Sequence, residues 1–334
     1  MRFGIGLLFV AACHEQETSD TGESGLDVTA EDSDTTVGEE AGEEDIEEDS
    51  EDSGVLDDTG EEAGDEEVID DTGEEDTGEE IVQQWDCTAP DYWTTVTWPT
   101  DDPCVSGTSY SITDLVVLPS ATSLQGLECL CSASTVSIEN NDHIDNMQGL
   151  NRLEYISNLT LRNNDGLVSL DGFDTLFDVY QLDIENNDAL ENIDSLQNTY
   201  IMWSGSVVIA DNPSLLTVDG LASVSEVDVD IIIRGNEQLL NVDGLVGVTS
   251  VNSLQITDND SLLNLDALYG VGFVEYVNIS ENDSLLSVDG LVQLQADTVV
   301  VQDNSSLCQS HVNAWLSTVS VWDSTQTCCN HQGC

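Results

Sequence analysis

From Val136 onward the chain repeats one arrangement of apolar and polar positions eight times. Each copy opens with two apolar residues separated by one polar or outward residue. The pairs are Val136/Ile138, Leu159/Leu161, Leu182/Ile184, Val207/Ile209, Ile231/Ile233, Leu254/Ile256, Val277/Ile279 and Val299/Val301. Alternation with period two predicts a strand with one face inward. Three places after each pair stands an asparagine: Asn141, Asn164, Asn187, Asn212, Asn236, Asn259, Asn282 and Asn304, at steps of 22 to 25 residues. Apolar residues follow three, six and nine places later, as in Leu285, Val288 and Leu291. A period in this range predicts a solenoid, in which each repeat hides its apolar face only against its neighbours. The expected fold is therefore mainly β, a β-solenoid of about nine coils with a parallel sheet. Asp-Gly recurs near the end of the pattern, at Asp171-Gly172, Asp219-Gly220, Asp243-Gly244 and Asp289-Gly290. This is turn chemistry, in which glycine is free to take positive φ. No copy contains a long capped helix, so the return segments are read as short turns, bridges or a second row of strands.

The ends of the pattern are atypical, as the terminal repeats of a stacked array should be. Residues 85–134 form an N-terminal cap and a first degenerate coil starting near Ser109. In that coil Tyr110 and Ile112 take the place of the strand pair, and Leu115 replaces the asparagine. Residues 135–307 form the repeat region. Residues 308–334 break the pattern, look helical across Ser310 to Leu316, and form a Cys-rich cap.

Composition adds a second theme. The chain holds 68 acidic residues against four arginines (Arg2, Arg152, Arg162, Arg234) and no lysine, a formal charge of −64. A nucleic-acid partner is excluded, because a phosphate backbone requires a basic footprint. Much of the charge lies between His14 and Gln84, a low-complexity run of Asp, Glu, Gly, Thr and Ser. Such a run cannot bury enough apolar surface to fold, so residues 13–84 are read as a disordered acidic tether. Its acid runs lack the spacing of an ordered calcium loop. Residues 1–12 carry one positive charge and a short apolar run, the form of an export signal too short to span a bilayer. The end of that run, Val10-Ala11-Ala12-Cys13, resembles the lipobox of bacterial lipoproteins. The resemblance implies cleavage before Cys13 and lipid on its sulfur, with a membrane as partner through that lipid. By the same resemblance, His14 at the next position points to the outer membrane, facing outward.

With Cys13 set aside, eight cysteines remain: Cys87, Cys104, Cys129 and Cys131 at one end, Cys308, Cys328, Cys329 and Cys334 at the other. An exported chain with cysteines confined to its caps is expected to carry disulfides there. Pairing within each cap leaves three arrangements per cap, and neither Cys129 with Cys131 nor Cys328 with Cys329 is easily joined. A zinc reading of Cys328, Cys329, His331 and Cys334 matches no standard ligand spacing, so no metal site is assigned.

The run L-x-I-x-x-N-x-x-L-x-x-L-x-G-L, clear in Leu159 to Phe173 and Val277 to Leu291, resembles leucine-rich repeats and, more closely, the receptor L-domain. Similar modules occur in bacterial surface lipoproteins. The resemblance covers about Cys104 to Leu307. It implies a right-handed β-helix in which the asparagine column is an internal ladder satisfying turn backbone groups. The kinase, transmembrane helix and Cys-rich modules of the receptors are missing here, so growth-factor binding is not carried over.

The outward strand positions are the candidate binding face. Val208 and Ile232, beside Arg162 and Arg234, make a mixed apolar and charged patch of the kind interfaces favour. Catalysis is not expected. No Gly-x-Ser-x-Gly, His-Glu-x-x-His or P-loop occurs, and His14, His143, His311 and His331 have no matched nucleophile context. The expected function is an envelope lipoprotein displaying its solenoid for non-catalytic recognition of an extracellular protein or glycan, without a cofactor. The alternatives are a structural or adhesive protein whose acid columns take up calcium weakly and, behind it, a glycan-active β-helix enzyme.

Overall fold

A computed structural model describes residues 87–88, 90–225 and 229–332. The export signal, Cys13, the acidic tether and Cys334 lie outside the described residues.

Eleven strands form one parallel sheet in strict chain order. They are β1 (Asp91–Trp98), β2 (Tyr110–Val117), β3 (Leu130–Glu139), β4 (Tyr155–Arg162), β5 (Asp178–Glu185), β6 (Tyr200–Ala210), β7 (Asp230–Arg234), β8 (Ser250–Thr257), β9 (Phe273–Ser280), β10 (Gln295–Gln302) and β11 (Ser320–Cys328). The repeat sets the register: Val136 pairs with Leu159, Leu159 with Leu182, Leu182 with Val207, and so on to Val277 with Val299. All eight apolar pairs of the repeat are buried, and so are the apolar residues three, six and nine places after each asparagine from Asn141 to Asn282. Each strand thus covers its neighbours' apolar face, which is why a repeat of this length has no core of its own.

The ends differ from expectation. The cap segment supplies two strands, β1 and β2. Within β2 the partners of Val136 and Ile138 are Leu115 and Val117, not Tyr110 and Ile112. At the other end, α1 (Gln309–Leu316) buries Val312 and Trp315, and the Trp315 Nε1 donates to the Leu291 carbonyl at 3.3 Å. The chain then returns to the sheet as β11, where Thr325 and Thr327 pair with Val299 and Val301.

The return segments are short 3-10 helices: Asp194–Leu196, Asp219–Leu221, Asp243–Leu245, Asp266–Gly270 and Asp289–Leu291. They stack on one another across successive repeats, and their leucines point into the core. The recurrent glycine has two uses. Gly172 takes φ +117°, as turn chemistry predicts. Gly220, Gly244 and Gly290 sit inside 3-10 helices, where a Cβ would collide with the carbonyls of Ile193, Val218 and Leu265 in the preceding repeat. There glycine serves close approach of backbones, not positive φ.

Two disulfides fasten the first strands. Cys87, just before β1, joins Cys131 in β3 with Cα atoms 5.5 Å apart, and Cys104 joins Cys129 at 5.3 Å.

Candidate binding face

The face is built from strand residues whose side chains alternate away from the core. One row crosses every strand. From β1 to β11 it reads Thr97, Val116, Ser137, Thr160, Asp183, Val208, Ile232, Gln255, Asn278, Val300 and Gln326. From β2 to β10 the rows on either side of it are buried. In a chain with 68 acidic residues, this row contains a single charge, Asp183. Val208 and Ile232 are direct cross-strand neighbours in it, and Val208 also adjoins Asp183.

Arg162 and Arg234 converge on the same place. The next outward row, two positions further along each strand, runs Glu139, Arg162, Glu185, Ala210, Arg234 across β3 to β7. Glu185 therefore stands between the two guanidinium groups, 3.5 Å from Arg162 and 3.9 Å from Arg234. Arg162 also binds Asp183 through both Nε and Nη2, and Arg234 lies 3.0 Å from Asp211. The hydrogen bond to Asp183 raises the Arg162 pKa further above its ordinary value. The Glu185 carboxyl is raised above the usual range, by partial burial first and by the Asp183 charge second, with the arginines acting in the opposite sense. The arginines are thus held by acids of this chain. The patch they frame is a cluster of paired charges next to two aliphatic side chains, not a pair of open cations.

Beneath the strand ends runs the asparagine ladder. Each backbone N–H donates to the Oδ1 of the next asparagine, as from Asn164 to Asn187 at 3.1 Å and from Asn236 to Asn259 at 3.2 Å. From Asn187 to Asn304, each Nδ2 donates back to two carbonyls, one in its own strand and one in the preceding strand; for Asn236 these are Arg234 and Ile209, both at 3.0 Å. Asn141, at the start, donates to Leu118 and Ala121 instead. All eight rungs are 0 to 1 % exposed. A ninth, Asn330, was not marked by the repeat and accepts from Asn304 at 3.2 Å. The residue before each rung adopts the left-handed conformation, from Asn140 at φ 57° to Asp303 at 55°, and Cys329 at 64° precedes Asn330. Ahead of the eight repeat rungs that column is Asn, Asp or Gly at every position but Glu281, a signal the sequence carries.

Two further features lie outside the expected site. Leu216, Leu240, Leu263 and Leu286 form an exposed stripe joined by backbone bonds from each to the one before. The recurring Leu-Leu doublet marks it in the sequence. Near the first strands, Tyr92, Trp93 and Tyr155 border a groove of about 360 Å³ on the sheet.

The cysteines of the C-terminal end are arranged differently from the first cap. Cys308 is disulfide-bonded, and the sulfurs of Cys328 and Cys329 lie 3.0 Å apart. His311 lies 3.1 Å from Asp289, His143 follows the Asn141 rung, and the His331 backbone bridges Cys308 in the C-terminal cap. Among the described residues, no group of three or more His, Cys, Asp and Glu side chains is placed to hold a metal ion, and no helix is long and apolar enough to cross a membrane. No family model matches the chain, and no curated protein matches it in sequence.

Proposed function

We propose that this chain is a lipid-anchored envelope protein that presents a right-handed β-solenoid of the receptor L-domain and leucine-rich-repeat kind for non-catalytic recognition of an extracellular protein or glycan. The fold part rests on the sequential parallel register and the unbroken asparagine ladder. The anchoring part rests on Val10-Ala11-Ala12-Cys13, with the acidic segment as a tether and the outer membrane as the site of display.

The observation that carries recognition is the uncharged outward row. A surface serving only solubility would share the acidity of the rest of the chain. Here threonine, serine, glutamine, asparagine, valine and isoleucine cross eleven strands with one acid, and that acid is paired with Arg162. Such a surface can be desolvated at little electrostatic cost, as the core of an interface requires.

The test uses labelled full-length protein on intact cells and envelope fractions. Val208→Asp combined with Ile232→Asp should weaken binding by about tenfold or more, since it places two unpaired charges at the centre of the face. Binding unchanged in this variant removes the row from the site, and no binding to any surface removes recognition altogether. Separately, Cys13→Ala should move the protein from the membrane fraction to the soluble one.

A further inference from the structure

The groove beside the first strands has a chemistry of its own. Its walls are aromatic: Tyr92 on β1 and Tyr155 on β4 stand at the two ends of one row of the sheet, and Trp93 lines the groove beside Tyr92. Its floor is made of β1, β2 and β3, which present the exposed hydroxyls of Thr94, Thr113 and Ser134. The remaining lining is likewise without charge. The walls are braced. The Trp93 ring meets Tyr110 edge to face at 5.6 Å, and the Tyr155 hydroxyl is 2.8 Å from Ser157 Oγ. The floor is braced too, by a 2.7 Å bond from Ser132 Oγ to Ser111 Oγ.

We propose that this groove is a subsite for a neutral pyranose oligosaccharide; the proposal rests on the recognition reading above and names its ligand class. A sugar ring has an apolar C–H face and a rim of hydroxyls. Aromatic walls match the first, and hydroxyls that both donate and accept match the second. Neighbouring strands place those hydroxyls about 4.8 Å apart, the scale of a single ring. Charge excludes the alternatives. An acidic sugar would find no cation in the lining and a strongly negative protein around it. A basic peptide would find no carboxylate there. A protein partner needs roughly 1,000 Å² of complementary surface, whereas a groove of about 360 Å³ is at the small-ligand end of binding sites.

The experiment titrates the full-length protein with cellotetraose, maltotetraose, mannotetraose and chitotetraose, and with tetragalacturonate as the acidic control. Calorimetry and tryptophan fluorescence read binding. At least one neutral sugar should bind, and tetragalacturonate should not. Trp93→Ala should weaken the neutral sugar by about tenfold or more. Ser134→Gln, which fills the floor without touching a wall, should do the same, while Tyr269→Ala, an exposed tyrosine elsewhere, should not. Neutral binding that survives both groove variants overturns the proposal, as does preference for tetragalacturonate. No sugar binding by a protein that still binds cell surfaces overturns the subsite and leaves the display reading intact. No binding to sugars or surfaces overturns both.

Discussion

The ladder asparagines are buried amides that satisfy several partners at once, which makes them sensitive to isosteric change. Asn236 offers an Oδ1 that accepts from Asn212 and an Nδ2 that donates to two carbonyls. Asn236→Asp keeps the shape but turns both donors into acceptors, and sets a carboxylate against the Ile209 and Arg234 carbonyls. An uncompensated buried charge costs about 3–5 kcal/mol, so the urea midpoint of this variant should fall steeply at neutral pH. A loss under about 1 kcal/mol would show that the ladder is not a cooperative element. One position before each rung, the chain uses Asn, Asp or Gly in the left-handed region at nearly every repeat. Glu281, at φ 58°, is an exception. The left-handed conformation costs an ordinary L-residue roughly 1–2 kcal/mol, less for asparagine. Glu281→Asn should therefore raise stability by about 0.5–1 kcal/mol, seen as a higher urea midpoint at unchanged slope. A lower midpoint would mean that the Glu281 side chain makes compensating contacts.

At the scale of elements, the 3-10 helices and the strands pack by different rules, and only one set was legible. Gly244 lies where a Cβ would meet the Val218 carbonyl. Gly244→Ala should push the two helices apart and cost roughly 1–3 kcal/mol, measured by thermal unfolding; an unchanged midpoint would show that the stack relaxes freely. Ala267 and Ser195 occupy the same place in other repeats, so the loss should stay below that of a core cavity. The interior strands were readable because every inward position contacts its equivalents in two neighbours, which repeats the apolar pattern at fixed spacing. At the ends that constraint weakens. β2 offers two apolar pairs, Tyr110/Ile112 and Leu115/Val117, on either side of Thr113-Asp114, and spacing two alone does not choose between them. Without an asparagine to mark the phase, the reading slipped by five residues, from Leu115 to Tyr110. β11 has a strand on one side only, so Thr325 and Thr327 stand where interior strands carry Val, Leu or Ile. The pattern is silent there, although Asn330 continues the ladder. The candidate site was legible in part. The outward pairs followed from period two, and so did the mixed patch that sets Val208 and Ile232 beside Arg162 and Arg234. Their shared acid, Glu185, becomes visible only once the register places it between them. The aromatic groove was hidden because Trp93 lies in a segment with no repeat to align.

At the scale of the whole molecule, stacking identical repeats brings like charges into columns. Asp194, Asp219 and Asp243 begin successive 3-10 helices, and Asp258, Asp260 and Asp283 crowd two adjacent turns. Asp219 and Asp260 are exposed, yet both carboxyls are raised above the usual range, by partial loss of water first and by their neighbouring carboxylates second. A group with a raised folded-state pKa binds its proton more readily in the native state than in the unfolded chain. Stability must then rise as pH falls from neutrality through the raised value, and the gain ends below the ordinary carboxylate range, where both states are protonated. This is opposite to the acid sensitivity of proteins held by ion pairs. The melting temperature should therefore increase as pH is lowered from 7 towards the ordinary carboxylate range. Added sodium chloride at pH 7 should give a rise of the same sign, because these columns are solvent-facing and screened by salt. A melting temperature that is flat or falling over this range would show that the raised carboxylates do not govern the pH dependence of stability. Calcium chloride, compared with sodium chloride at equal ionic strength, separates general screening from weak cation uptake: an equal rise assigns the effect to screening, and a larger one to occupancy of the acid columns.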